Sequence, residues 1–178
     1  ETIVTWTATD TSGNSATATQ SITILDTTQP IVAAPEDIQS EATSMERNIV
    51  DYGFAEASDQ VEVASITNDA PEAFPLGETI VTWTATDTSG NSATASHTVF
   101  VMDTTSPIIE EPEEVFFEAI THNNNEVKIP MIKSQDNTEI ASITNDAPTL
   151  FEFGTTLVTW TVVDTSGNSS TVDQEIHV

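Results

Sequence analysis

The sequence predicts an all-β chain built from repeated β-sandwiches. Three observations carry that expectation. Thr, Val and Ile dominate the chain while Gly and Pro punctuate it. Apolar and polar residues alternate with a period of two. One fifteen-residue string, "VTWTATDTSGNSATA", occupies residues 4–18, returns unchanged at 81–95, and recurs as "VTWTVVDTSGNSSTV" at 158–172.

The repeat keeps a constant offset of 77 residues: Glu1 aligns with Glu78, "ITNDAP" begins at Ile66 and again at Ile143, and "DTTQP" at Asp26 returns as "DTTSP" at Asp103. Residues 1–25 then read as the C-terminal hairpin of a preceding copy, 26–102 as one complete copy and 103–178 as another. A unit of this length suits a small independent domain better than a solenoid rung of about 20–50 residues. The expected organisation is beads on a string, and a chain that opens inside a repeat reads as an excerpt of a longer protein.

Within each copy the strands follow from pattern. In "TIVTWTATD", Val4, Trp6 and Ala8 share one face, because successive strand side chains point to opposite sides. In "SATATQSITI", Ala18, Ile22 and Ile24 share a face that stays mostly apolar in the later copies: Ala95 and Val172, Val99 and Ile176, Val101 and Val178. The opposite face drifts freely, as a half-buried antiparallel strand allows. "DTSGN" joins the two as a hairpin turn, with Gly13 supplying positive φ and the Asp and Asn side chains bonding local backbone. Upstream, "PIVAA", "DIQSEAT", "NIVDY", "FAEAS" and "EVASIT" are further short strand candidates separated by prolines. About seven short strands in so few residues read as a β-sandwich. Trp6, Trp83 and Trp160 belong to its core rather than to an exposed sugar platform.

Composition limits partners. Lys and Arg number 3 against 29 Asp and Glu, a formal charge of −26. Nucleic acid and anionic membranes are excluded, because phosphate binding needs basic side chains. Small cations are the natural counter-charges, above all Ca²⁺, which takes oxygen ligands; a solvated acidic surface is the plainer reading of the same charge. With no Cys, no disulfide holds the fold. No signal peptide or apolar run of membrane-spanning length is present.

The middle copy, "DTTQPIVAAPEDIQSEAT" followed by "ITNDAPEAFPLGETIVTWTATDTSGNSATA", resembles the hyalin repeat, or HYR, domain nearly end to end. The last copy departs in its first half, with "EEVFFEAITHNNNEVKIPMIKSQDNT" in place of "EDIQSEATSMERNIVDYGFAEASDQV". The resemblance implies tandem immunoglobulin-like or fibronectin-III-like β-sandwiches on extracellular or cell-surface proteins, with an adhesive or structural role and no catalysis. Some members of the family carry a Cys pair; this chain has none.

Chemistry is expected at the joints. The last strand of each copy leads to the next linker, so the antiparallel "DTSGN" turn lies at the opposite pole, facing the preceding copy. Asp87 and Asn91 should therefore approach Asp26, and Asp164 and Asn168 should approach Asp103, offering oxygen ligands to a Ca²⁺ that stiffens each joint. The competing reading is local: Asp87 and Asp164 bond their own turn backbone and the linker carboxylates are solvated. Asp69 and Asp146, in "TNDAP", are turn residues first and ligands second. His97, His122 and His177 occupy different repeat positions, so no recurring His–carboxylate spacing points to a transition metal or a Ser-His-Asp centre. A Lys–Asn cross-link is excluded from residues 30–106, which contain no Lys. Asn168-Ser169-Ser170 is a glycosylation sequon that would compete with the cation site.

The favoured function is a structural module of a long extracellular stalk, surface layer or filament, partnered by neighbouring copies of itself. The hairpin of residues 1–25 would expose Val4, Trp6 and Ile22, to be covered by upstream residues or by strands of another chain in strand complementation. The alternative is an adhesin module that binds a glycan or protein through the divergent segment 113–137. No catalytic or cofactor-binding residue is expected beyond the candidate Ca²⁺ ligands.

Overall fold

The computed structural model describes all 178 residues and contains fourteen strands and no helix. By backbone proximity the chain divides into two compact units, Glu1–Pro35 with Phe54–Asp69 and Thr82–Ser96, and Glu36–Gly53 with Ala70–Val81 and His97–Val178.

The first unit opens with the antiparallel hairpin of β1 (Thr2–Thr9) and β2 (Ser15–Ile22), in which Trp6 lies opposite Ala18 and Val4 opposite Gln20. Gly13 turns the chain at φ 89°, a region open to Gly at no steric cost. The alternating pattern runs on to Ile24, yet β2 stops at Ile22 and Ile24 is exposed. The reason is pairing. In β8 (Ser92–Met102) the residues Val99–Met102 are held by the parallel strand β4 (Ile38–Glu41), whereas β1 and β2 form a sheet of two. The unit also contains β3 (Ile31–Ala33) antiparallel to β5 (Glu56–Ser58), and β6 (Val63–Asn68) paired with residues 83–87 of β7 (Gly77–Asp87). Trp83, Ala85 and Asp87 are buried here.

The second unit holds β4 and the remaining parts of β7 and β8, where Ala42, Phe74, Val81, Val99 and Val101 are buried. It continues through β9 (Ile108–Ile109), β10 (Val115–Phe116), β11 (Ser134–Gln135), β12 (Ile140–Asn145), β13 (Thr155–Asp164) and β14 (Ser169–His177). These form a four-stranded sheet in the order β10-β14-β13-β12, with β10 parallel to β14, and a two-stranded sheet of β11 and β9. The same order, β4-β8-β7-β6 beside β3 and β5, appears one repeat earlier. All-β sandwich architecture is therefore what the alternating pattern produces. Its core in β9–β14 is Ile132, Phe151, Val158, Trp160, Val162 and Ile176, with Val115, Ile143, Val172 and Val178 packed against it. Val158, Trp160 and Val162 are the inward face read from the sequence.

"NIVDY" does not become a strand. It contributes one antiparallel bridge, Asn48 to Phe74, repeated as Asn125 to Phe151. The Asn side chain replaces the ladder. Asn48 Oδ1 accepts from the backbone N–H of Thr43 and Ser44, and its Nδ2 donates to the carbonyls of Ser44 and Phe74. A fully buried amide is acceptable because every polar atom is satisfied. Each copy thus has six strands, one fewer than the pattern suggested.

Candidate metal centres at the joints

The "DTSGN" turn is stabilised identically in all three copies. The first Asp carboxylate accepts the backbone N–H two and four residues on, and the side-chain amide of the Asn. At Asp10 these contacts are 2.9, 2.8 and 2.9 Å; at Asp87, 2.8, 2.8 and 2.7 Å; at Asp164, 2.8, 2.9 and 2.9 Å. The ionised form is favoured in each. Burial pushes the Asp87 and Asp164 carboxyls up, but the Asn91 or Asn168 amide and the turn N–H groups outweigh it and hold both below the ordinary carboxylate value. At Asp10 the Asn14 amide leads the same downward shift. Asp10 makes the same contacts outside any carboxylate cluster, so turn closure accounts for this part of the geometry.

What sets Asp87 and Asp164 apart is the company they keep. Asp87 converges with Asp26 of the linker and with Asp59, which directly follows β5; carboxylate oxygens of the three lie within 4.8 Å of one another. Asp164, Asp103 and Asp136 repeat this arrangement, again within 4.8 Å. The sequence reading brought Asp26 to Asp87 and Asp103 to Asp164 but missed Asp59 and Asp136. A signal was present: the segments 36–60 and 113–137 have drifted widely, yet Asp59 and Asp136 keep the 77-residue register.

Asn91 and Asn168 adjoin these sites through their amide nitrogens. Asn91 Nδ2 lies 2.7 Å from Asp87 Oδ2 and 3.3 Å from the Asp26 carbonyl, and Asn168 Nδ2 lies 2.9 Å from Asp164 Oδ2 and 3.1 Å from the Asp103 carbonyl. Both partners are acceptors, so the nitrogen faces them. Each Asn clamps turn to linker. Asp69 and Asp146 stand apart from the clusters; each carboxylate accepts an inner-strand N–H, of Thr82 in β7 and Thr159 in β13, at 2.7 Å.

The second joint has further ties. Glu41 accepts the Thr104 N–H at 2.9 Å and the hydroxyls of Thr104 and Thr105 at 2.8 and 2.7 Å, which hold its carboxyl below the usual range, the Thr104 N–H first among them. Asn137 Nδ2 donates to the Ala42 carbonyl at 2.6 Å, and the Thr138 hydroxyl bridges Asp103 and Asp136 at 2.7 and 2.8 Å.

A cation fits both clusters. Asp87, Asp103 and Asp164 are only 3%, 7% and 2% exposed. Asp26 Oδ2, Asp59 Oδ1 and Asp136 Oδ1 are shielded from water and have no hydrogen-bond partner. Buried polar atoms are normally satisfied, so such orphans need an explanation. Ca²⁺–oxygen bonds of 2.3–2.6 Å place any two ligands of one ion at most about 4.6–5.2 Å apart. The observed spread falls within that coordination diameter. All ligands are oxygen, which suits a hard cation.

Comparison with known proteins agrees with the sequence reading. Residues 25–101 match the family described as HYR domain. The chain is 34% identical to Hyalin of Lytechinus variegatus and 33% identical to Hyalin of Strongylocentrotus purpuratus, each over 193 aligned residues covering 100% of this chain. It covers 36% and 16% of those two proteins, so it spans about a third of their length or less. It is also 28% identical, over 94% of its length, to the sushi, von Willebrand factor type A, EGF and pentraxin domain-containing protein 1 of Rattus norvegicus, of which it covers 5%. Among solved structures, Protocadherin Gamma B7 extracellular cadherin domains 1–4 align over 100% of this chain and 65% of theirs, at 11% identity and a TM-score of 0.40, too loose an overlap to build on.

Proposed function

Because residues 25–101 form an HYR domain, we propose that the chain is a structural stretch of a long extracellular or cell-surface protein, whose copies at 26–102 and 103–178 are joined by Ca²⁺-bridged linkers. The observation that carries this reading is the recurrence, one repeat apart, of a triad that unites a linker, a loop and a turn: Asp26, Asp59 and Asp87, then Asp103, Asp136 and Asp164. A single cation on each triad offsets like charges that would otherwise repel, and ties the linker to the copy that follows. Asn91 and Asn168 orient the turn carboxylate and the linker carbonyl. The protein's work is then mechanical, and its partners are adjacent repeats.

The test is Ca²⁺ titration of the 178-residue chain by calorimetry, with small-angle scattering in Ca²⁺ and in chelator. Saturable binding at both joints is expected, with a narrower distribution of dimensions and a higher melting temperature when Ca²⁺ is present. Chelation that leaves dimensions and melting temperature unchanged would overturn the proposal.

A second reading, a binding module, draws on the divergent segment, where Phe116, Ile120 and Met131 are exposed. Its test is a glycan array probed with the chain and with a Phe116→Ser, Ile120→Ser variant; equal or absent signals would remove it.

A further inference from the structure

The two joint clusters contain oxygen alone. A third cluster, in the last copy, includes nitrogen. His177, near the end of β14, directs Nε2 between Glu175 of the same strand and Glu114, which directly precedes β10. Their ligand atoms lie within 4.8 Å of one another, with Nε2 at 3.3 Å from Glu175 Oε2 and 3.5 Å from Glu114 Oε2. We propose that Glu114, Glu175 and His177 form a site for a borderline divalent cation of the Zn²⁺ class.

Two features of the imidazole argue for this. Nε2 is shielded from water and has no hydrogen-bond partner. The observed separations of 3.3 and 3.5 Å match a tetrahedral edge. Zn–N of about 2.05 Å and Zn–O of about 2.1 Å, at the tetrahedral angle, place N and O about 3.4 Å apart. Second, the other nitrogen is already engaged. Nδ1 is 3.0 Å from the Thr155 hydroxyl. With Nδ1–H donating to that oxygen, the Nε2 lone pair faces the glutamates, which is the usual support of a metal-bound histidine. Phe116 stacks on the ring at 4.7 Å and an interplanar angle of 16°, fixing its plane.

Charge and ligand type agree. Two carboxylates and a neutral imidazole carry two negative charges, which a divalent ion neutralises. Imidazole favours Zn²⁺, Cu²⁺ and Ni²⁺ over Ca²⁺ and Mg²⁺. Three protein ligands leave one position for water or a donor from another molecule. The middle copy cannot do this, since Asp37, Thr98 and Phe100 stand at the equivalent positions and Asp37 accepts the Thr98 N–H at 2.7 Å. The site belongs to one copy and is independent of the joint clusters.

The test is Zn²⁺ titration of the 178-residue chain in saturating Ca²⁺, followed by calorimetry and by NMR of the imidazole protons of His97, His122 and His177. One Zn²⁺ per chain is expected, with only the His177 resonances moving strongly. His177→Gln should abolish that binding, Glu175→Gln should weaken it at least tenfold, and Thr155→Val should weaken it by about tenfold. Zn²⁺ heat that persists in His177→Gln, His177 resonances that stay still while Zn²⁺ binds, or the absence of saturable binding would each overturn the proposal.

Discussion

Trp6 and Trp160 provide a matched pair of perturbations. They occupy the same repeat position and make the same bond: Trp6 Nε1 donates to Gln20 Oε1 at 3.2 Å, and Trp160 Nε1 donates to Gln174 Oε1 at 2.9 Å. Their surroundings differ. Trp160 is 4% exposed in the core with Phe151 and Val158, while Trp6 is 62% exposed on a two-stranded hairpin. Replacing a core Trp by Ala costs about 3–5 kcal/mol, from lost transfer energy and the cavity left behind. The truncation also strands Gln174 Oε1 in a site only 3% exposed, a penalty of about 1–3 kcal/mol that overlaps with the first. A module of roughly 75 residues has about 4–11 kcal/mol in total, so Trp160→Ala removes at least about a quarter of its stability. Each kcal/mol lowers the melting temperature of so small a unit by about 4–8 °C. Trp6→Ala removes little buried surface and should cost about 1 kcal/mol or less. Calorimetry, with amide hydrogen exchange on β13, reads both. Equal costs for the two substitutions would refute the claim that burial between layers, and not the repeated motif itself, gives the indole its role.

Further outcomes follow from the same geometry. Asp59→Asn and Asp136→Asn should each weaken Ca²⁺ binding by about tenfold or more at their own joint, while Asp10→Asn leaves it unchanged; calorimetric titration distinguishes them. Asn125→Ala should destabilise the last copy by about 1–3 kcal/mol in urea unfolding, because it leaves the Ile120 and Thr121 N–H groups and the Phe151 carbonyl without its amide. The lowered carboxyl of Asp164 contributes stability that is fully present above the unfolded value of about 3.9 and is lost as pH falls through the lower folded value. Denaturant midpoints from pH 7 to 3 should therefore fall less steeply below about pH 4 in Asp164→Asn than in the parent chain.

Much of the fold is legible in the chain because its cause is local. Strict alternation at Val158, Trp160 and Val162 makes a half-buried strand wherever a second layer exists, and the Gly of "DTSGN" turns the hairpin in all three copies. Six aligned residues survive the drift between segments 36–60 and 113–137, and the pairs Asn48/Asn125 and Asp59/Asp136 are among them. One pair caps a buried bridge and the other completes a carboxylate triad. Their meaning was hidden because both roles depend on groups far away in sequence.

The sequence by itself determined the repeat length, the β-layered architecture, the inward faces and the self-closing Asp–Asn turn, since each depends on side-chain periodicity or on atoms within five residues. Only the tertiary structure decided that Asp59 and Asp136 complete the carboxylate clusters, that Asn91 and Asn168 present nitrogen to the linker, and that His177 lies between Glu114 and Glu175. A metal-ligand set is a statement about distances of a few ångströms between separate strands. Such distances are set by strand register and the packing of loops, which no linear spacing encodes.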